Sequence, residues 1–342
     1  MGGWMIAWLL GGCAPATTSS TPDPCVVARL PAGGPLESSV DQGDLMGVAQ
    51  TRLREHHLTG DAGFAVLAEQ ALQCHLGAHP ADPEATRLLA RTWMQLHHFR
   101  RAEDLLRRQV ASAPDDGQAW LLLADSLLEQ GRPDEAEAAL ERTVGADPSL
   151  HADRQAWLAA QRGQGAEALA HAQRAVRLAP DDDTRAWALT QVGRYRMLQG
   201  EVPEELGHAL LLDPDLREAH YWLGRYLMSV GHPAAAEHLR ADGDTLRARI
   251  GLHELGLATT ADIEAKASYD PRGYQIWRLM QGLPADVAVL QAEHASRADP
   301  LTATALALAR GQSLPVLSYL PVDPDLRALR SLGPRPKNVD SL

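Results

Sequence analysis

Residues 117–148 read GQAWLLLADSLLEQGRPDEAEAALERTVGADP, and this stretch decides the fold. Trp120, Leu123 and Leu127 recur at intervals of three and four residues, which places them on one face of a helix. Gly131 lets that helix end in a turn, and Pro133 followed by Asp134 suits the first turn of a second helix. The expected product is a hairpin of antiparallel helices. Ala136 falls where the two helices approach most closely, so a large side chain there would force them apart, while Leu140 fills the layer toward the next hairpin. One such unit cannot bury its apolar face alone, so copies must stack.

The copies are visible outward from this unit. Pro80, Pro114 and Pro148 are 34 residues apart, Pro180 and Pro214 are again 34 apart, and only the 32-residue interval from Pro148 to Pro180 breaks the period. The residue before a proline is pushed out of the helical region, so each proline is expected to stop a helix. Asp after it, as in Pro114-Asp115-Asp116 and Pro180-Asp181-Asp182, is expected to cap the next. Leu89, Ala90, Trp93, Ala102 and Leu106 repeat the scheme on the N-terminal side, and Leu223, Gly224, Leu227, Gly231 and Ala236 on the C-terminal side. Between them Ala168, Ala175, Leu189, Leu206 and Ala209 keep their distances from the terminal prolines. An earlier hairpin is expected over residues 40–77 with a turn near Gly60. Beyond residue 246 the Asp-Pro intervals shrink to 29 and 24, which predicts helices of unassigned register.

The set Trp120, Leu123, Ala124, Leu127, Gly131, Ala136, Leu140 and Pro148 resembles the tetratricopeptide repeat, specifically over residues 80–236 and loosely on either side. The resemblance implies an all-α, right-handed superhelical solenoid of antiparallel hairpins. Its first helices would line a concave surface that grips a peptide or helix of another protein. Carried over by position, the partner-binding residues would be Arg87, Arg91 and Gln95, then Leu121, Asp125 and Glu129, then Trp187, Gln191 and Arg194, and finally Tyr221 and Arg225. Arg, Trp and Tyr dominate binding energy at interfaces, so this mixture suits an acidic or amphipathic segment. Members that clamp a terminal carboxylate use paired asparagines, and the only Asn here is Asn338, in the tail.

Bulk composition agrees with helix. Hydrophobic residues make up 45% of the 342, aromatics only 5%, and the remainder of the apolar content is mainly Leu and Ala. The formal net charge is −12, and no window holds a Lys/Arg run free of Asp and Glu, so neither a nucleic acid nor an anionic membrane patch is expected as a partner.

The N-terminus reads as a targeting segment. Trp4 to Leu10 is a short apolar run, far below the ~20 residues a membrane span needs, and Leu10-Gly11-Gly12-Cys13 resembles the lipobox of bacterial lipoproteins. That resemblance implies acylation of Cys13. The absence of Asp after Cys13 further implies the periplasmic face of the outer membrane. Residues 1–12 would then be a signal peptide and 13–42 a Pro/Thr/Ser/Gly-rich tether. The repeats would occupy 43–245 and degenerate helical repeats 246–332, with a disordered tail at 333–342. With Cys13 lipidated, Cys25 and Cys74 remain either as a disulfide stapling tether to first hairpin or as two unrelated thiols.

The sequence carries no recognisable catalytic constellation. His75 and His79 have helical metal-ligand spacing but no third ligand, and the neighbours in His56-His57 and His97-His98 point in different directions on a helix. Nucleophile-elbow, phosphate-loop and dinucleotide motifs are missing. Carboxylate groups such as Asp181-Asp182-Asp183 and Glu204-Glu205 fall where helices begin and are favoured there by the helix dipole. The expectation is therefore a non-catalytic, lipid-anchored scaffold of the cell envelope without cofactor or metal. Its alternatives are a cytoplasmic scaffold and an enzyme with its site in the C-terminal half.

Overall fold

A computed structural model describes residues 44–243, 245–268, 270–297 and 300–314. Among these residues the chain forms seventeen helices and no strand. Paired in order, they are α1 (Leu45–Thr59) with α2 (Ala62–Ala78), α3 (Pro83–Gln95) with α4 (Phe99–Ser112), α5 (Gly117–Glu129) with α6 (Pro133–Leu140), and α7 (Pro148–Gln161) with α8 (Gly165–Leu178). There follow α9 (Asp182–Leu198) with α10 (Glu204–Leu212), α11 (Arg217–Ser229) with α12 (Ala235–Ala241), α13 (Leu246–Glu254) with α14 (Thr260–Glu264), α15 (Pro271–Met280) with α16 (Val287–Arg297), and α17 (Pro300–Ala309). Nearly every helix packs on its successor, and α3, α5, α7, α9 and α11 also pack side by side as an inner layer. This is the expected solenoid of antiparallel hairpins.

The punctuation works, with one revision. Asp116 and Asp181 cap α5 and α9 as expected, through side-chain oxygens that accept first-turn N–H groups. In Asp82-Pro83, Asp147-Pro148 and Asp270-Pro271, however, the Asp before the proline is the cap and the proline is the first helical residue. These prolines open helices as much as they close them, because the first N–H of a helix has no intrahelical acceptor to lose. Gly60 and Gly131 end α1 and the first helix of the central unit with φ of 73° and 69°. Ala136 is fully buried between α5 and α6. Glycine fills close approaches on the first helices of later hairpins: a Cβ at Gly193 would stand 2.6 Å from Leu206 Cγ, and one at Gly224 would stand 3.0 Å from Leu239 Cγ.

One apolar cluster runs from Val48 on α1 to Leu158 on α7. Smaller clusters continue it, and a separate one joins Ile276, Leu279, Leu290, Leu301, Ala305, Leu306 and Leu308 across α15, α16 and α17. Consecutive hairpins are also cross-tied by ion pairs 29 residues apart in sequence. Arg87 pairs with Asp116, Glu103 with Arg132, Asp125 with Arg154, Glu218 with Arg247 and Arg225 with Glu254.

The winding also brings distant hairpins together. Helix α16 packs on α4, six hairpins earlier, and Arg217 at the start of α11 lies against Gly60 in the first hairpin. Small rotations between successive hairpins accumulate until one turn of the superhelix meets the next. The segments expected to be a signal peptide, a tether and a tail, with Cys13 and Cys25, lie outside the described residues. Cys74 on α2 is disulfide-bonded.

Candidate binding groove

The inner helices enclose a groove of about 1430 Å³. Its wall begins at Gln50, His57 and Leu58 on α1, follows the inner layer, and ends at Arg272 on α15 and at Pro300 and Leu301 on α17. Nine of the eleven expected binding residues line it: Arg87, Arg91, Gln95, Leu121, Asp125, Glu129, Trp187, Gln191 and Arg194.

Their availability differs. Leu121, Asp125 and Gln191 are buried parts of the wall, whereas Trp187 is 37% exposed and Gln95 is open to the groove. Arg87 is tied to Asp116, its Nη1 donating to Oδ2 at 2.6 Å. Arg91 is exposed to the groove but ringed by protein, and it makes no hydrogen bond or ion pair among the described residues. Burial pushes the Arg91 pKa down, and the nearby Arg154 adds to that effect while Asp125 partly offsets it. Arg194 stacks on Trp222 at 5.1 Å and donates weakly to Gln191.

Tyr221 and Arg225 do not line the groove. Arg225 Nη1 donates to Glu254 Oε2 at 2.8 Å, and Tyr221 packs on the cluster of Ala236, Leu239 and Leu252 with the Arg247 guanidinium 4.3 Å above its ring. The next hairpin therefore covers the face of α11 that position alone assigned to a partner.

Helix α7 supplies what the sequence reading missed. Arg154 forks Asp125 and also donates to Asp153, while Trp187 Nε1 donates to Asp153 Oδ2 at 3.4 Å. Burial alone would lower the Arg154 pKa, but the two carboxylates override it and raise the value. Burial raises the Asp125 pKa against the pull of Arg154. Beside this network, buried Trp157 Nε1 and Gln161 Oε1, one donor and one acceptor, have no hydrogen-bond partner among the described residues. The signal for these residues was the spacing itself, since Arg154 stands 29 residues after Asp125 and Trp187 stands 34 after Asp153.

The lining holds five arginines and eight carboxylates. Glu84 and Asp183 sit in the first turns of α3 and α9, and Asp213 and Asp215 precede α11, so helix N-termini account for much of this acidity. Elsewhere His75 Nε2 lies 2.8 Å from Asp82 Oδ2, and its ring is 4.8 Å from that of His79. Among the described residues no group of three or more His, Cys, Asp or Glu is placed to hold a metal, and no helix is long and apolar enough to cross a membrane.

A family model described as a tetratricopeptide repeat matches residues 87–151, which span α3 to the start of α7. Solved structures of similar fold include the human IFIT1 dimer with m7Gppp-AAAA, at 16% identity and a TM-score of 0.52 over 78% of this chain and 66% of that one. A monomeric IFIT1 mutant with Gppp-AAAA follows at 15% identity and a TM-score of 0.51, over 84% of this chain and 69% of that one. The type IV pilus biogenesis factor PilW aligns at 18% identity and a TM-score of 0.39, over 67% of this chain and 92% of that one. No curated protein sequence matches the chain. Residues 87–151 thus match the tetratricopeptide repeat, and the chain shares the helical-solenoid fold of these solved structures.

Proposed function

We propose that this tetratricopeptide-repeat solenoid is a non-catalytic scaffold that holds an extended, amphipathic segment of another protein in its groove. We further propose that a lipid on Cys13 anchors it to the periplasmic face of a bacterial outer membrane, where it aids assembly of an envelope complex. The observation that carries the groove reading is Arg91, which faces the groove and makes no hydrogen bond or ion pair among the described residues, the nearby Asp125 being engaged by Arg154 instead. A carboxylate on the partner segment would pair with Arg91 directly. The groove volume of about 1430 Å³ exceeds the roughly 300–1,000 Å³ usual for small-molecule sites. Its excess of carboxylates disfavours the phosphate backbone of an RNA, the ligand with which IFIT1 was solved.

A photo-crosslinking amino acid at Gln95 in intact cells tests the groove. A protein adduct that disappears with Arg91→Ala supports the reading, and adduct formation indifferent to Arg91 overturns it. The anchor is tested separately by palmitate labelling: label in wild type and none in Cys13→Ser supports it, and an unlabelled wild type removes it.

A further inference from the structure

Arg217 ties the first hairpin to the sixth. As the first residue of α11 it lays its guanidinium on Gly60, in the turn between α1 and α2, so closely that a Cβ at position 60 would overlap Nη1, Nη2 and Cζ. The same side chain is anchored behind: Nε donates to the Asp242 carbonyl oxygen at 2.7 Å, and Nη2 lies 3.9 Å from Asp242 Oδ1. Asp242 is fully buried, but its carboxylate is already forked by Arg247, at 2.8 Å from Nε and 2.5 Å from Nη2. Arg217 is thus not required to neutralise Asp242, and its distinctive contact is the one across to Gly60.

That contact lies where the groove's walls meet. His57 and Leu58 on one side, and Asp213, Asp215, Leu216 and Glu218 on the other, line the same space, and Gly60 and Arg217 stand within two residues of those sets. We propose that Arg217 is a clasp that closes the slit between successive turns of the superhelix, and that the groove admits its partner segment when the clasp opens. This rests on the reading of the groove as a protein-binding site. The contact is one guanidinium laid on a glycine.

His56 gives the clasp a pH handle. Its ring Nδ1 lies 3.0 Å from the Asp61 carbonyl oxygen, and the charged or titratable groups around it are Arg217 from α11, His57 from α1 and Asp61 from the turn. Protonation places a second cation beside Arg217, so acid loosens the contact.

The test needs no partner. Arg91→Cys, inside the groove, is labelled in the native protein with N-ethylmaleimide or with a long polyethylene-glycol maleimide, and the ratio of the two rates is read by mass spectrometry of the peptide carrying residue 91. Adding Arg217→Ala is expected to raise the relative rate of the long reagent about tenfold, as a minor open state becomes substantial. Arg217→Lys, which keeps the charge but not the flat surface on Gly60, is expected to fall between. Lowering the pH from about 7.5 to about 5.5 should raise the ratio in wild type and not in His56→Gln. An unchanged ratio in Arg217→Ala with native helicity overturns the clasp; if that variant loses helicity, an unchanged ratio in Arg217→Lys does so. Either result leaves the crosslinking test of the groove standing.

Discussion

Arg154 grips the carboxylate of Asp125 across the joint between two hairpins, with Nη2 2.6 Å from Oδ2 and both side chains nearly buried. The same guanidinium reaches Asp153, so one cation serves two carboxylates in the groove floor.

Removing that cation should therefore be costly. Arg154→Met leaves Asp125 and Asp153 buried without their shared partner and is expected to destabilise the fold by about 3–5 kcal/mol, measured by urea unfolding. Combining it with Asp125→Asn and Asp153→Asn should recover a substantial part, because the loss comes chiefly from stranded charge. No recovery in the combined variant would mean that packing of the Arg154 stem is the dominant contribution.

Close helix approach gives a graded pair of expectations. Gly193→Ala drives a methyl toward Leu206 Cγ and should cost about 1–3 kcal/mol, less whatever the better helix propensity of Ala returns. Ala136→Trp, at a fully buried site between α5 and α6, should lower helicity as well as melting temperature. A wild-type circular-dichroism melt for Ala136→Trp would show the register of the central hairpin to be wrong.

Acid should weaken the solenoid before its carboxylates titrate. Burial lowers the pKa of His56, His151 and His238, with neighbouring Arg217, Arg174 and His220 respectively adding to it. A histidine lowered in the folded state leaves the unfolded chain binding more protons below the ordinary value of ~6.5, so stability holds above that pH and falls beneath it. His238 carries its own geometric cause: its Nδ1 lies 2.9 Å from His220 Nδ1, while His220 Nε2 donates to the Pro214 carbonyl oxygen. Urea midpoints at about pH 7.5 and 5.5 should differ less in His238→Asn, which keeps a donor but cannot titrate. Equal pH sensitivity in that variant would assign the effect to other groups.

Arg91→Ala should leave stability within about 0.5 kcal/mol of wild type, since the residue makes no hydrogen bond or ion pair among the described residues. The same substitution should weaken retention of the crosslinked partner. A large loss of stability instead would make Arg91 a structural residue.

Much of the architecture was legible. Gly60 and Gly131 announced left-handed turns, Ala136 announced a close approach, and Asp116 and Asp181 announced caps, each from residues a few positions apart. The groove was legible through Arg91 and Trp187 but not at α7, where Asp153, Arg154, Trp157 and Gln161 join the wall through contacts with neighbouring hairpins. Tyr221 and Arg225 had the right position but lost it to α13 and its neighbours, a covering that no count along the chain reveals.

The amino-acid order alone determined the hairpins, their caps and turns, and the need to stack, because those follow from forces acting over one or two helical turns. Only the folded chain decided how tightly the stack winds, and with it the meeting of Arg217 with Gly60 and of α16 with α4. Each joint between hairpins contributes a small rotation set by many side chains at once, and the sum of those rotations fixes which distant turns touch.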